Sequence, residues 1–372
     1  MKKILVVGCG FAGSVLAREI ADKTNLKIDI IDNRNHVAGN CHTYRDENNI
    51  MIHAYGPHIF HTSDKQIWDY VNRFGKFNNY INRVKINNSK GIFSMPINLH
   101  TINQYFKKKF SPKQAKLFLK SQTKKVNNIN NFEDKAISML GKDLYKDFLH
   151  GYTIKQWGIS PKKIPESVLK RLPVRFNYND NYYNDIYQGV PIDGYTSLVK
   201  NILQHKSINV KLSLNFKKVD IKRYSKIFYT GPIDEYFNYK YGKLNYRTVY
   251  WKKKTFNVND FQGSAVINYN NPKIPYTRVI EYKHFSPQEK SKKTVVYYEY
   301  SKKTEKKDTP YYPVRFVDDK KKLEKYFKEA SLLKNIFFLG RLGTYRYLDM
   351  HNVIGESLNF FKKNKKKLFK EN

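Results

Sequence analysis

Apolar positions along the chain fall into runs of different period. Residues 3–7 are a short apolar stretch, followed at once by the Gly-rich turn Gly8-Cys9-Gly10-Phe11-Ala12-Gly13. Beyond the turn, Val15, Leu16 and Ile20 share one face of a helix, and residues 27–32 form a second apolar run ending in Asp32. A continuous run too short for a helix reads as a strand buried on both faces. From about residue 64 to 150 the period becomes helical. Ile67, Tyr70, Val71 and Phe74 have helical spacing, and Ala136, Leu140, Leu144 and Phe148 repeat every four residues. Ser111-Pro112 is a helix start, with Ser as N-cap and Pro in the first turn. From about 208 to 300 the pattern is mostly strand. Residues 208–212 and 226–230 are strand-like, and 263–269, 276–282 and 294–300 are β-rich runs separated by Pro-, Asn- or Lys-rich turns. That spacing suits an antiparallel meander. Residues 336–340 read as another buried strand, and a helix from about 352 closes the sequence.

The chain is too long for one ordinary core, and its hydrophobic fraction of 40% can build two or three. The pattern predicts an α/β fold: a Rossmann-like domain built from both chain ends, with an inserted helical domain and an antiparallel β-sheet domain. The first takes residues 1–63, about 190–225 and 330–372; the second takes 64–165; the third takes 226–329 with nearby segments. No internal repeat is visible. No run of about 18 apolar residues exists, so no transmembrane helix is expected. The N-terminus lacks the long apolar region and cleavage site of a signal peptide.

Composition narrows the chemistry. Cys9 and Cys41 are the only cysteines, which excludes a disulfide framework and a Cys-rich zinc site and fits a reducing cytoplasm. Cys9, inside the turn, reads as a small packing residue. The formal charge is +37, but Lys and Asn are abundant throughout, and no nucleic-acid-binding module is recognisable. Nucleic acid is therefore not expected as the main partner. The basic run 362–367 reads as a solvated helix end favoured by the helix dipole, with a peripheral membrane contact as the minority reading. His53, His58 and His61 have no acid among them, so no metal is expected. No Gly-x-Ser-x-Gly elbow or P-loop appears.

The first motif has a physical reading. Gly8, Gly10 and Gly13 permit a tight turn, close approach to a pyrophosphate and packing of helix on strand. The helix N-terminus supplies N–H groups and positive potential to the phosphates. Asp32 is placed to accept hydrogen bonds from a ribose hydroxyl. The strand before the turn, the helix after it and the terminal acid together point to a dinucleotide. The loop through Gly39 and Asn40 resembles the second half of the FAD fingerprint of glutathione-reductase-like flavoproteins. The late strand followed by Gly340-Arg341-Leu342-Gly343 resembles the element that returns to the flavin in such proteins. The cofactor fold at both ends of the sequence suits FAD better than a simple NAD dehydrogenase.

Six blocks carry a closer likeness. They are 55–62 (YGPHIFHT), 151–158 (GYTIKQWG), 169–176 (LKRLPVRF), 275–278 (PYTR), 310–313 (PYYP) and 340–350 (GRLGTYRYLDM). In content and order they resemble the bacterial-type UDP-galactopyranose mutases, over nearly the whole chain. The resemblance implies a reversible ring contraction of UDP-galactopyranose to UDP-galactofuranose with no net redox change, through a covalent adduct between the sugar and N5 of reduced FAD. It implies a cellular flavin reductant, a homodimer and a role in supplying furanose for cell-surface polysaccharide. Arg171, on a mobile loop at about 164–178, and Arg278 match the cations for the diphosphate. Arginine suits phosphate geometry better than lysine. Tyr182, Tyr312 and Tyr347 match tyrosines bonding the diphosphate, Tyr152 a residue stacking on uracil, and Trp157 a residue beside the sugar. Asp349 matches an acid near sugar and flavin, and His61 a histidine close to the isoalloxazine, with His58 on the same segment. Arg341, Asn82 and Asn268 resemble further flavin- or substrate-side positions.

Each residue also has a plain structural reading. Arg171 could be a solvated loop charge, since Lys170 and Arg175 are close by; Trp157 a core tryptophan; His61 a satisfied histidine; and Asp349 a partner of Arg346 or Arg341. With 30 tyrosines, no single one is informative without its block. Two other functions compete: a flavin oxidoreductase of the amine-oxidase type, with the same cofactor fold but an apolar substrate cage, and a basic nucleic-acid-binding protein.

Overall fold

The computed structural model describes residues 3–123, 128–171, 173–305, 307–314 and 317–369. The side chains of Ser167, Lys170, Arg171, Val317 and Asp318 lie outside the described part. Two sheets organise the molecule. The first is parallel and has five strands, in the order Ile336–Phe338, Tyr224–Tyr229, Lys3–Val7, Ile28–Ile31 and Ile208–Lys211. Its inner strands Lys3–Val7 and Ile28–Ile31 are largely buried because helices cover the sheet. The Phe11–Lys23 helix follows the first strand and buries Val15, Leu16 and Ile20. The Met350–Leu368 helix packs beside it, and Ser357 donates its hydroxyl to Ala12 O at 3.1 Å. Both ends of the sequence thus meet in one layer.

The second sheet has seven strands, in the order Tyr312–Pro313, Tyr246–Phe256, Thr294–Lys303, Arg278–Glu281, Val266–Tyr269, Val84–Asn88 and Gly91–Met95. All neighbours are antiparallel except Val266–Tyr269 beside Val84–Asn88. Helices Leu99–Phe106, Pro112–Gln122 and Phe132–Leu144 follow, then a π-helical turn Tyr145–His150 and the helix Gly151–Trp157. Ser111 caps its helix as expected, in a capping box with Gln114 and with Pro112 at the first position. Phe93 of the sheet and Phe148 of the π turn meet edge to face at 5.3 Å, joining helices and sheet in one core.

Three expectations need correction. The boundary at 225/226 falls inside the Tyr224–Tyr229 strand, which pairs with Lys3–Val7 in the parallel sheet. The insertion taken as mainly helical contains a hairpin, Val84–Asn88 with Gly91–Met95, that completes the antiparallel sheet. Its Asn- and Lys-rich strands hide their alternation. The longest strand, Tyr246–Phe256, was not foreseen. Its run of three lysines, 252–254, masks the period, because its far half is exposed and not buried.

Candidate active site

The turn after the first strand closes as the glycines require. A Cβ on Gly13 would stand 2.0 Å from Gly8 O and 2.9 Å from Val6 Cγ1, so any side chain there forces the helix off the strand. Gly10 is the N-cap of the following helix. No side chain caps it and its first turn holds no acid, which leaves N–H groups and positive potential for an anion. Asp32 is buried and accepts from Cys9 N–H at 2.9 Å and from Arg34 N–H at 3.0 Å. It ties the glycine turn to the loop that carries Gly39 and Asn40. Arg34 donates to Asn40 Oδ1 at 2.8 Å and lies over the Tyr55 ring at 4.6 Å. Gly8, Gly10, Asp32, Asn40, His58 and Arg341 all face one cleft of about 940 Å³. Burial, reinforced by Asp32, pushes the Cys9 thiol far up, so it is a packing residue and not a nucleophile.

A second group adjoins this cleft through the segment 55–61. A Cβ on Gly56 would lie 3.3 Å from Trp251 and 4.0 Å from Arg278 Nη2, while His58, two residues on, faces the cleft. Asn268, Arg278 and Glu299 stand side by side on three neighbouring strands, because Asn268 pairs with Arg278 and Arg278 with Glu299 in register. Arg278 donates from Nη2 to Glu299 Oε2 at 2.7 Å. Glu299 is fully buried and also accepts from Trp251 Nε1 at 3.3 Å and Thr277 Oγ1 at 3.1 Å. Arg278 Nε and Asn268 Oδ1 are buried without a hydrogen-bond partner among the described residues. Tyr182, Tyr312 and Arg278 lie within electrostatic reach of Tyr152, and burial pushes the Tyr152 and Tyr312 phenols up, so both remain hydrogen-bond donors. Tyr312 stacks on Tyr347 at 5.6 Å, and the Arg341 guanidinium lies 5.0 Å above Tyr347. Burial, with Arg341 and Arg278 adding repulsion, holds the His58 imidazole down to about 4. His58 is therefore neutral at pH 7, its Nδ1 2.7 Å from Gly56 O.

His61 is buried, with Nδ1 2.6 Å from Asp185 Oδ2, and it stacks on Tyr183 at 3.6 Å. Burial opposes the Asp185 charge, but hydrogen bonds with His61 and Ser63 hold its carboxyl below the usual range. His351 meets His61 edge-on at 4.8 Å, and Tyr182 meets Tyr183 at 5.1 Å, which connects the two groups. Asn82 is buried, and its backbone carbonyl accepts from Tyr182 N–H at 2.7 Å. Trp157 is part-buried against the core at the end of its helix. Asp349 is the N-cap of the last helix. Arg346 is engaged bidentately by Glu356, at 2.8 and 2.6 Å, and Arg341 donates to Leu348 O. Arg175, beside the expected loop, is structural: it is buried and donates to the Asn179 and Asn181 carbonyls. The Arg171 side chain lies outside the described residues.

The sequence reading did not name Glu299, Asp185, Tyr183 or His351. Glu299 left a signal, as the one acid in an otherwise apolar and aromatic run from 294 to 300. Asp185 left none, since its partner is 124 residues away. Among the described residues, one group could hold a metal ion by proximity: Asp260, Glu281 and His284. The Glu281 oxygens there already accept from the N–H groups of Phe261 and Gln262 and from the Thr294 hydroxyl.

Comparison with known proteins gives this geometry a context. A family model for UDP-galactopyranose mutase matches residues 147–347, which include Tyr152, Arg278, Tyr312 and Tyr347. A model of an NAD(P)-binding Rossmann-like domain matches residues 6–74. The chain is 46% identical over 359 residues to a probable UDP-galactopyranose mutase of Klebsiella pneumoniae, covering 96% of this chain and 93% of the relative. It is 45% identical over 366 residues to a dTDP-fucopyranose mutase of Escherichia coli, covering 96% and 97%. In fold it is similar to a crystal structure of reduced UDP-galactopyranose mutase, with a TM-score of 0.76 and 14% identity over 100% of this chain and 95% of the other. None of its described helices is long and apolar enough to cross a membrane. On these grounds the chain belongs to the UDP-galactopyranose mutase family, as an isomerase.

Proposed function

We propose that the protein is an FAD-dependent mutase that converts UDP-galactopyranose to UDP-galactofuranose and back. One observation carries most of the reading. Arg278, a part-buried arginine, is held by Glu299, has a buried Nε without a hydrogen-bond partner among the described residues and stands near the Tyr152 and Tyr312 phenols. That set suits a nucleoside diphosphate as leaving group: a fixed cation plus neutral O–H donors stabilise the charge that develops on the departing oxygen.

The residues around the glycine turn fit FAD. The uncapped helix N-terminus would take the pyrophosphate, and Asp32 would take a ribose hydroxyl on lone pairs its backbone partners leave free. His58 and Arg341 would lie on the flavin side, since both face the same cleft as the turn. Bound reduced flavin would supply the nucleophile that takes the anomeric carbon and returns it once the ring has changed size. Arg278, with Arg171, would hold the diphosphate close enough to recombine. Tyr152 would stack on the base, Tyr182, Tyr312 and Tyr347 would bond the diphosphate, and Trp157 would flank the sugar. Asn82, Asn268, His61 and Asp349 would surround the sugar and flavin. The furanose product suits cell-surface polysaccharide, and we assign the protein to the cytoplasm as a homodimer with a cellular flavin reductant.

A second reading concerns the substrate alone. The dTDP-fucopyranose mutase relative is as similar as the UDP-galactopyranose mutase one. The two sugars differ in the C6 hydroxyl, and the nucleotides in a methyl group on the base and a ribose hydroxyl. The family model favours UDP-galactose. The test is incubation of dithionite-reduced protein with UDP-galactofuranose and, separately, with dTDP-fucofuranose, followed by chromatography. Conversion of the first is expected, without consumption of NADPH in proportion to product. No conversion of either, or one reductant consumed per turnover, would overturn the reading.

A further inference from the structure

Lys155 lies between Tyr152 and Trp157 on the Gly151–Trp157 helix. A lysine on a short helix is ordinarily a solvated stem. Here the Nζ meets four backbone carbonyl oxygens: Tyr269 at 2.6 Å, Asn271 at 3.1 Å, Ile274 at 3.0 Å and Tyr276 at 2.9 Å. The first ends the Val266–Tyr269 strand, and the other three belong to the connection from it to the Arg278–Glu281 strand. An ammonium has three N–H groups, so four acceptors share them. Without a cation the converging carbonyls would repel one another and lose their shared hydrogen-bond donor.

Two further contacts seat the helix on the same connection. Tyr152 N–H donates to Asn270 Oδ1 at 3.0 Å, and Asn270 Nδ2 donates to Lys146 O at 2.9 Å. The approach is close enough to need glycine, since a Cβ on Gly151 would stand 1.9 Å from Asn270 O. On one side of this junction are Tyr152 and Trp157. On the other, one residue before Tyr269 and two after Tyr276, are Asn268 and Arg278.

We propose that Lys155 is a positioning residue: its ammonium, caged by the four carbonyls, fixes the helix bearing Tyr152 and Trp157 against the strands bearing Asn268 and Arg278. The separation between the base-stacking tyrosine and the phosphate-binding arginine is thereby set for a nucleoside diphosphate. This rests on the site assignment made under the proposed function. Lysine suits the role better than arginine, because a compact ammonium serves acceptors around a point whereas a planar guanidinium does not.

The test uses the FAD-loaded full chain and UDP as probe, by titration calorimetry. Lys155→Met keeps the stem and removes the donors. UDP affinity should fall roughly tenfold or more, with FAD content unchanged because the glycine turn lies in the other sheet. Lys155→Ala should lose affinity likewise and regain part of it in ammonium chloride, but not in choline chloride of equal ionic strength. A side chain with only a packing role would show no such rescue. Unchanged UDP affinity in Lys155→Met, or equal behaviour of Lys155→Ala in the two salts, would overturn the proposal. Failure of the site assignment reads differently: the unaltered protein would not bind UDP at all. Hydrogen exchange of the amides from 269 to 277 reports on the cage without ligand. It should speed up in Lys155→Met, and exchange as slow as in the unaltered protein would refute the cage.

Discussion

Arg278, part-buried, is paired with the fully buried Glu299. Under the proposed function, removing Arg278 has two consequences: the diphosphate loses a charge-assisted contact worth about 1.5–3 kcal/mol, and Glu299 is left buried without its partner. Arg278→Ala is therefore expected to lower kcat/KM roughly ten- to a hundredfold and also to reduce stability. Arg278→Lys keeps the charge and separates the two effects: it should fold normally yet retain only part of the activity, because the planar fork is gone. Full activity in Arg278→Lys would show that geometry at this residue is irrelevant. Gly13→Val tests the other half of the site. With 2.0 Å between the new Cβ and Gly8 O, the helix must move, and the purified variant should lack the yellow flavin colour. Stoichiometric FAD in that variant would contradict the cofactor assignment. At this scale the sequence singles out a residue where it sits inside a motif, as Arg278 and Tyr152 do, and the structure brings these two within electrostatic reach. The sequence is silent where the role depends on a distant partner, as for Asp185 beside His61 and Lys155 beneath the 269–277 connection.

At the scale of elements, the segment from 164 to 178 matters most. Glu299 offsets the charge of Arg278, so a diphosphate with two negative charges calls for further cations. Arg341 is held near Tyr347 and by Leu348 O. Arg171 ends the Glu166–Arg171 turn. Arg171→Ala should lower activity roughly ten- to a hundredfold, from the same charge-assisted contact. Lys170→Ala should leave activity nearly unchanged. Equal, harmless behaviour of both variants would make Arg171 a solvated surface charge, and an undiminished Arg171→Lys would reduce it to a point charge. Elements were legible in the sequence wherever both faces, or one clean face, are buried. The Lys3–Val7 strand and the Ser111-capped helix followed from pattern alone. The Tyr246–Phe256 strand did not, because cross-strand partners on Thr294–Lys303 stabilise it while its lysines face water. Cation–π contacts such as Lys252 over Tyr300, at 5.4 Å, support such a surface, and hydrophobic alternation does not register them.

Across the whole molecule, three histidines, His53 buried and His42 and His58 half-buried, are held neutral at pH 7. His53 lies among Tyr195, from a helix over the parallel sheet, and Tyr282 and Phe285, from the turn after an antiparallel strand. Burial, with His58 adding repulsion, holds His53 down to about 3. Its Nδ1 accepts the His58 N–H at 3.0 Å, a bond that a proton on Nδ1 would break. His42 stacks on His36 at 3.8 Å, and burial with the charge of His36 and Arg34 nearby holds it down to about 4. His58 is held at about 4 as well. In the unfolded chain each of these takes up a proton near pH 6.5. Between that value and about 4 the unfolded state binds more protons than the native one, so stability rises with pH across the window. It is fully present above 6.5 and is lost progressively as the pH falls. Carboxylates held below their usual range, such as Asp185, add their loss only at the lower end. The expected measurement is a urea midpoint that drops steeply between about pH 7 and pH 5, with flavin fluorescence rising as the protein unfolds and the cofactor leaves. His53→Gln, which cannot take up a proton, should flatten that slope relative to the natural chain. A midpoint independent of pH over this range would mean that the fold tolerates charged imidazoles, and the burial argument would fail.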